Sequence, residues 1–185
     1  MILPNLSKFI LKKAGWTCIN PLSNDVKQCV VILAPHTSNY DFIFGMLYKS
    51  AYKLKIRYLI KQEWVKGPLA PFFNWTGAIK INRAQPGNLV KTLTELLTNN
   101  EALILGITPE GTRKRVEKWK TGFYRIAKEC NLPIYCGFMD YKKKEMGFAG
   151  HIKPTGDQEK DLKKIQEIYK NITAKNPENF NPVIS

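Results

Sequence analysis

Apolar positions along the chain keep two rhythms. Val30-Val31-Ile32-Leu33 is an unbroken, mostly β-branched run stopped by Ala34-Pro35, which predicts a strand buried on both faces. Ala102 to Ile107 is a second run of this kind. Arg57 to Ile60 and the alternating stretch Ala78 to Asn82 read as short strands. Asn131-Leu132-Pro133 introduces another from Ile134 to about Met139, and the Lys142-Lys143-Lys144 turn leads to one near Gly147 to Ile152. Between them the period lengthens. Residues 41–52 read as helical; a helix opening at Pro86-Gly87 carries Leu89, Leu93, Leu96 and Leu97 and stops at Asn99-Asn100. A third helix runs through Cys130, and a fourth starts near Asp157 with Leu162, Ile165, Ile168, Tyr169 and Ile172 on one face. Alternating strands and helices predict one α/β domain, a mixed, mostly parallel sheet flanked by helices.

That domain is expected over residues 21–175. Residues 1–20 read as an amphipathic N-terminal helix and candidate membrane-surface anchor, with Ile2, Leu3, Leu6, Phe9 and Ile10 at helical spacing and Lys8, Lys12 and Lys13 interleaved. The pattern suits a helix lying on an anionic membrane, and equally one packed on the domain's own core. From Asn176 to Ser185 the chain is rich in Pro and Asn and is expected as a loose tail. Trp64 to Trp75, a run of aromatics, prolines and one cation, suits a loop at a lipid headgroup region or one folded over the sheet.

Charge changes the picture more than composition does. The 185 residues are 44% hydrophobic and 24% charged, which excludes wholesale disorder, yet 29 Lys and Arg against 15 Asp and Glu leave a net charge of +14. Such an excess attracts something anionic: nucleic acid, a lipid surface, phosphorylated substrates or an acidic carrier. No stretch reaches the roughly 18–20 apolar residues needed to span a bilayer. No signal-peptide pattern precedes the first helix. The four cysteines, Cys18, Cys29, Cys130 and Cys136, form no CxxC pair and are expected to be reduced and structural.

Only two histidines are present, His36 and His151. His151 sits at a strand end with no carboxylate nearby in sequence and is assigned a structural role. His36 follows a buried strand directly, at the carboxyl end where open α/β sheets place ligands. Asp41 lies five residues on. On a continuous helix five residues turn about 500°, leaving the two side chains roughly 140° apart. The pair can meet only if residues 36–39 turn and the helix begins near Tyr40, as Pro35, Ser38 and Asn39 favour. On spacing alone, Asp41 is better explained as a helix cap and His36 as a polar turn residue. A second loop, Thr108-Pro109-Glu110-Gly111-Thr112-Arg113-Lys114-Arg115, also follows a buried strand and offers a glycine and three cations for an anion, Arg113 best placed for bidentate phosphate contact. A third segment, Gly77 to Arg83, sends Arg83 off a strand end.

In these segments the sequence resembles the glycerol-phosphate and lysophosphatidic acid acyltransferases. His36 to Asp41 (HTSNYD) matches their H-x4-D motif; Gly77 to Arg83, Thr108 to Arg113 and Leu132 to Tyr135 look like their second, third and fourth, in order and spacing, across about Val30 to Phe138. The resemblance implies an α/β fold and His36 and Asp41 as a catalytic dyad. It implies Arg83, Glu110, Gly111 and Arg113 as acceptor-phosphate binders, with Lys80 and Thr112 of the same motifs among the substrate-binding positions. It further implies acyl-CoA or acyl-ACP as co-substrate with no cofactor, a lysolipid acceptor such as 1-acylglycerol-3-phosphate, and a role in phospholipid biosynthesis. An anionic membrane surface is the expected partner, the inner face of the cell membrane the expected location, and nucleic acid is not expected as a ligand. Pro35, Lys114 and Cys136-Gly137 depart from the usual motifs, which bears on the acceptor rather than the reaction class. One His with one Asp is too sparse for zinc. Two rivals remain: a thioesterase in which His36 activates water, and a basic nucleic-acid-binding protein, for which no RNP, KH, helix-turn-helix or zinc-knuckle signature is present.

Overall fold

The chain's β-branched and apolar runs become the middle of a sheet because only there can both faces be covered. The computed structural model describes residues 3–184 apart from residues 24, 66 and 82–85. In chain order its elements are α1 (Pro4–Lys13), β1 (Thr17–Ile19), β2 (Cys29–Leu33), α2 (Asn39–Ala51), β3 (Ile56–Lys61), α3 (Ala70–Thr76), β4 (Ala78–Ile81), α4 (Pro86–Thr98), β5 (Ile104–Ile107), α5 (Gly122–Glu129), β6 (Ile134–Asp140), β7 (Glu145–Ile152) and α6 (Gln158–Tyr169). The strands form one sheet in the order β1-β7-β6-β2-β5-β3-β4. All neighbours are parallel except β6 and β7. The expected mixed, mostly parallel architecture is what the chain adopts.

Two apolar layers cover the sheet. On one face Val30, Ile32 and Ala34 pack with Leu93, Leu97, Phe123, Ile126, Leu162, Ile165 and Tyr169 of α4, α5 and α6. On the other, Cys29 and Val31 pack with Leu11 of α1 and Leu47, Tyr48 and Ala51 of α2. The alternation along β2 thus feeds both cores. Gly106 on β5 and Gly137 on β6 flank Leu33, where a Cβ would lie 3.4 Å and 2.9 Å from its two methyl carbons. Smallness at both neighbours lets β2 run close-packed up to the turn that carries His36.

Three expectations change. The N-terminal segment is helical only over α1; after Gly15, residues 17–19 add a strand at the sheet edge. α1 buries Ser7 and Leu11, while Leu3, Leu6 and Phe9 are 71%, 47% and 57% exposed. The apolar stripe is therefore left largely exposed, while Leu11 packs in the cluster that α2 covers. The aromatic run is partly helical as α3, with Leu69, Phe72 and Trp75 exposed.

The C-terminal segment is not loose. Asn181 Nδ2 donates to the Val116 and Glu117 carbonyls, the Trp119 indole donates to the Asn181 carbonyl at 2.7 Å, and Ile184 is buried. Its polar groups find partners and its last apolar side chain finds the core, which composition alone does not reveal. Among the described residues no helix is long and apolar enough to cross a membrane. The four cysteines are free, Cys29 and Cys136 buried in the core.

Candidate functional site

Three adjacent parallel strands, β6, β2 and β5, each deliver one piece of a cluster at their carboxyl ends. β2 delivers His36 after the Ala34-Pro35 peptide. The chain then turns and α2 begins at Asn39, with Ser38 as N-cap: Tyr40 N donates to Ser38 Oγ, and Asp41, in the first helical turn, accepts from the Ser38 amide. This capping box is the turn that lets residues five apart meet. Asp41 Oδ2 accepts from Thr37 N and Ser38 N at 2.8 Å each and lies 3.4 Å from His36 Nδ1. That separation is an ion-pair distance and longer than a closed N–H···O bond, and it sets the carboxylate on the Nδ1 side of the ring. Asp41 is therefore both cap and histidine partner. Its carboxylate is almost fully buried, whereas the His36 side chain keeps 25% exposure, with Nε2 the ring nitrogen that does not lie beside Asp41.

β5 delivers Glu110. Both carboxylate oxygens accept from His36 N, at 2.9 and 3.2 Å, and the side chain is buried. Expected at an acceptor phosphate, Glu110 is instead turned inward. A buried carboxylate already taken up by an amide braces the histidine's backbone and has no favourable contact to offer an anion. Burial pushes its carboxyl up to about 7; the His36 amide pulls it down, and the Asp41 charge adds to the rise. Gly111 follows with φ +67°, the left-handed region that favours glycine, and a Cβ there would sit 3.4 Å from Lys120 Nζ. Thr112, Arg113 and Lys114 are exposed beyond it, the Thr112 hydroxyl accepting from Lys114 N. Arg115, third of the cations in this run, is committed elsewhere: its guanidinium donates to the Glu178 and Phe180 carbonyls.

β6 delivers Tyr141, which sequence reasoning missed. Its hydroxyl donates to Asp41 Oδ1 at 2.6 Å across a hundred residues of chain, and no local pattern announces such a bond. The far edge of the sheet contributes less. Lys80 on β4 is exposed and sits three strands from β2, roughly 14 Å at normal strand spacing, so the structure does not bring it to His36. Arg83 lies outside the described residues. His151, on β7, stacks on Tyr135 at 4.8 Å between centroids and takes no part in the cluster. Among the described residues no group of three or more His, Cys, Asp or Glu is placed to hold a metal ion.

Chemically, the cluster presents an imidazole with one nitrogen oriented by a buried carboxylate and the other open, beside a loop carrying exposed cations. Such an arrangement can take a proton from a bound hydroxyl and hold an anion nearby. A family model described as Acyltransferase matches residues 16–139, a span that contains every part of the cluster except Tyr141. No curated protein matches the chain in sequence. Among solved structures, the chain is similar to the 1-acyl-sn-glycerophosphate (LPA) acyltransferase PlsC from Thermotoga maritima, with a TM-score of 0.59 and 16% identity over 90% of this chain and 75% of that one. At that identity the likeness carries the fold alone.

Proposed function

Given that the chain belongs to the acyltransferase family, we propose that it moves an acyl group from a thioester, acyl-CoA or acyl-ACP, to the hydroxyl of a phosphate-bearing lysolipid, with His36 as general base. The observation that carries this reading is the His36–Asp41 pair. Nδ1 lies 3.4 Å from a buried carboxylate, which favours the tautomer that carries its proton on Nδ1 and leaves the Nε2 lone pair to act as the base. Nε2 removes the acceptor hydroxyl's proton as that oxygen attacks the thioester carbonyl. Asp41 stabilises the imidazolium that forms. The tetrahedral intermediate expels the thiolate, which takes the proton from Nε2, so an ester and a free thiol are released and the histidine is regenerated. A base so placed contributes on the order of 10²–10⁴-fold. Arg113, exposed on the loop that Glu110 anchors to the His36 backbone, is the guanidinium for the acceptor phosphate, with Arg83, Thr112 and the Gly111 backbone as further candidates. PlsC acts on 1-acyl-sn-glycerophosphate, which makes that lysolipid the first acceptor to try.

The surface supports work at a membrane. Leu3 at the start of α1 and Leu6, Phe9 and Ile10 on it are exposed, as are Phe72 and Trp75 on α3, in a chain of net charge +14. An apolar stripe with a basic surplus suits the inner, anionic face of a cell membrane, where lysolipid acceptors reside. Role and place together make phospholipid biosynthesis the fitting process.

One assay tests the reading. Labelled acyl thioester is incubated with a panel of lysolipids, and the acylated product is identified by mass. Transfer should require a phosphate-bearing acceptor and vanish in His36→Ala, while Arg113→Ala should chiefly raise the acceptor KM. Full activity of folded His36→Ala sinks the base assignment. Release of free fatty acid at the same rate without acceptor marks a thioesterase instead.

A further inference from the structure

Asp41 divides its two oxygens between two sides of the site. Oδ2 takes the Thr37 and Ser38 amides and faces His36 Nδ1, while Oδ1 takes the Tyr141 hydroxyl. The amides fix one oxygen in place. The torsion that remains, rotation of the carboxylate about its Cβ–Cγ bond, is closed off by the contact at Oδ1. We propose that Tyr141 is a positioning residue of the His36–Asp41 pair, holding Asp41 Oδ1 so that Oδ2 stays directed at His36 Nδ1. The proposal rests on the reading of His36 as base.

Tyr141 is itself held from four directions. It follows directly on β6, whose Gly137 is in register with Leu33 of β2, so the strand pairing carries the ring to the base of the catalytic turn. Its amide donates to the Thr173 carbonyl at 2.9 Å. Trp16 meets the ring edge-on at 5.0 Å between centroids, and Lys175 Nζ stands 5.6 Å from the ring centre on another side. Just before it, Asp140 Oδ1 accepts the amides of Lys142 and Lys143 and tightens the β6–β7 turn. An O–H···O⁻ bond of 2.6 Å is in the short, charge-assisted range. Burial, the bond to Asp41 and the Asp41 charge all push the Tyr141 phenol upward, so it stays protonated and remains the donor. Among the described residues the ionisable side chains bonded to the dyad are Tyr141 on Asp41 and Glu110 on the His36 amide, with Lys175 standing over the Tyr141 ring.

The donor also shapes the electrostatics. By sharing the carboxylate's charge, Tyr141 tempers how strongly Asp41 favours the imidazolium. Removing the hydroxyl should then have two separable effects: looser orientation, and a ring that protonates more readily.

The test compares Tyr141→Phe in the full chain with wild type, because the ring and its packing against Trp16 survive. The expected result is a kcat about ten- to a hundredfold lower at unchanged acceptor KM, the range of a lost bond to a charged group. The acid limb of the kcat/KM profile should move to higher pH, and so should the NMR titration midpoint of the His36 ring, measured without substrate. With only two histidines in the chain, that resonance is identified by its loss in His36→Ala. In the Asp41→Asn background Tyr141→Phe should change neither quantity further. Should the Phe variant fail to fold, 3-fluorotyrosine placed at position 141 keeps the hydroxyl, strengthens the donor and should move the midpoint the opposite way. An unchanged NMR midpoint in the folded variant overturns the proposal, as does an undiminished rate loss in the Asp41→Asn background. If wild type transfers no acyl group, or His36→Ala retains activity, the function reading falls; the substrate-free midpoint still decides whether Tyr141 acts through Asp41.

Discussion

At the scale of single residues, Glu110 makes the sharpest electrostatic prediction. It spends a buried carboxylate on one backbone amide, and its carboxyl is raised from 4.5 to about 7, chiefly by burial. Between those values the folded chain keeps a proton that the unfolded chain has released. Stability should therefore be greatest below about 4.5 and fall as pH rises through about 7, by about 3 kcal/mol once both states are ionised. Glu110→Gln keeps an oxygen for the His36 amide and removes the titration. Melting temperature should then fall by on the order of 10 °C more for wild type than for the Gln variant between pH 4.5 and 7.5. Parallel curves would show that Glu110 is ionised at little cost. The same residue shows where sequence reasoning stops. Its place in a Pro-Glu-Gly-Thr-Arg loop with three cations nearby suggested an anion site, and only coordinates reveal that the acid points inward while the cations do not.

At the scale of elements, β2 with the turn after it was legible because every determinant is local. A β-branched run and a proline stop predicted the buried strand, and Pro35, Ser38 and Asn39 allowed the turn on which His36 can meet Asp41. The pairing itself was implied by the family resemblance, since spacing alone favoured Asp41 as a cap; the structure shows it to be cap and neighbour at once. The strand β1 was too short to register, and α3 was hidden among prolines and aromatics. The C-terminal segment was misjudged for a different reason. Its order comes from side chain to backbone bonds across more than sixty residues, made by the same Pro/Asn composition that suggested disorder. It also reaches both site loops: Asn176 bonds the Thr37 hydroxyl and carbonyl, and Asn181 ties down residues 116 and 117 behind Arg113. Asn181→Ala removes both Nδ2 bonds and should cost about 1–3 kcal/mol, lowering the melting temperature by about 3–10 °C. The acceptor KM should rise with it, since the loop bearing Arg113 loses its tether. A thermal melt and a KM matching wild type would return the segment to a passive tail.

At the scale of the whole molecule, the question is how a chain without a membrane-crossing helix among its described residues would reach a substrate that lives in a bilayer. At about 100° per residue, Leu3, Leu6, Phe9 and Ile10 fall within a stripe of roughly 120°, centred about 120° around the helix from the Ser7 and Leu11 face that packs on the domain. Covering large apolar side chains is worth on the order of 1.5–3 kcal/mol each, and each lysine near an anionic surface adds about 1 kcal/mol. Two charges set into the stripe, Leu6→Glu with Phe9→Glu, would remove both apolar contacts and oppose the surface potential without touching Ser7, Leu11 or the dyad. Binding to vesicles containing phosphatidylserine, measured by flotation, should drop by at least about a hundredfold, while turnover of a short-chain, water-soluble acceptor stays at the wild-type rate. Raising salt should weaken wild-type binding only in part, because burial of the stripe is not screened. Equal flotation by the double variant would assign membrane contact to α3 and its exposed Phe72 and Trp75, and loss of soluble turnover would mean that α1 supports the fold instead of the surface.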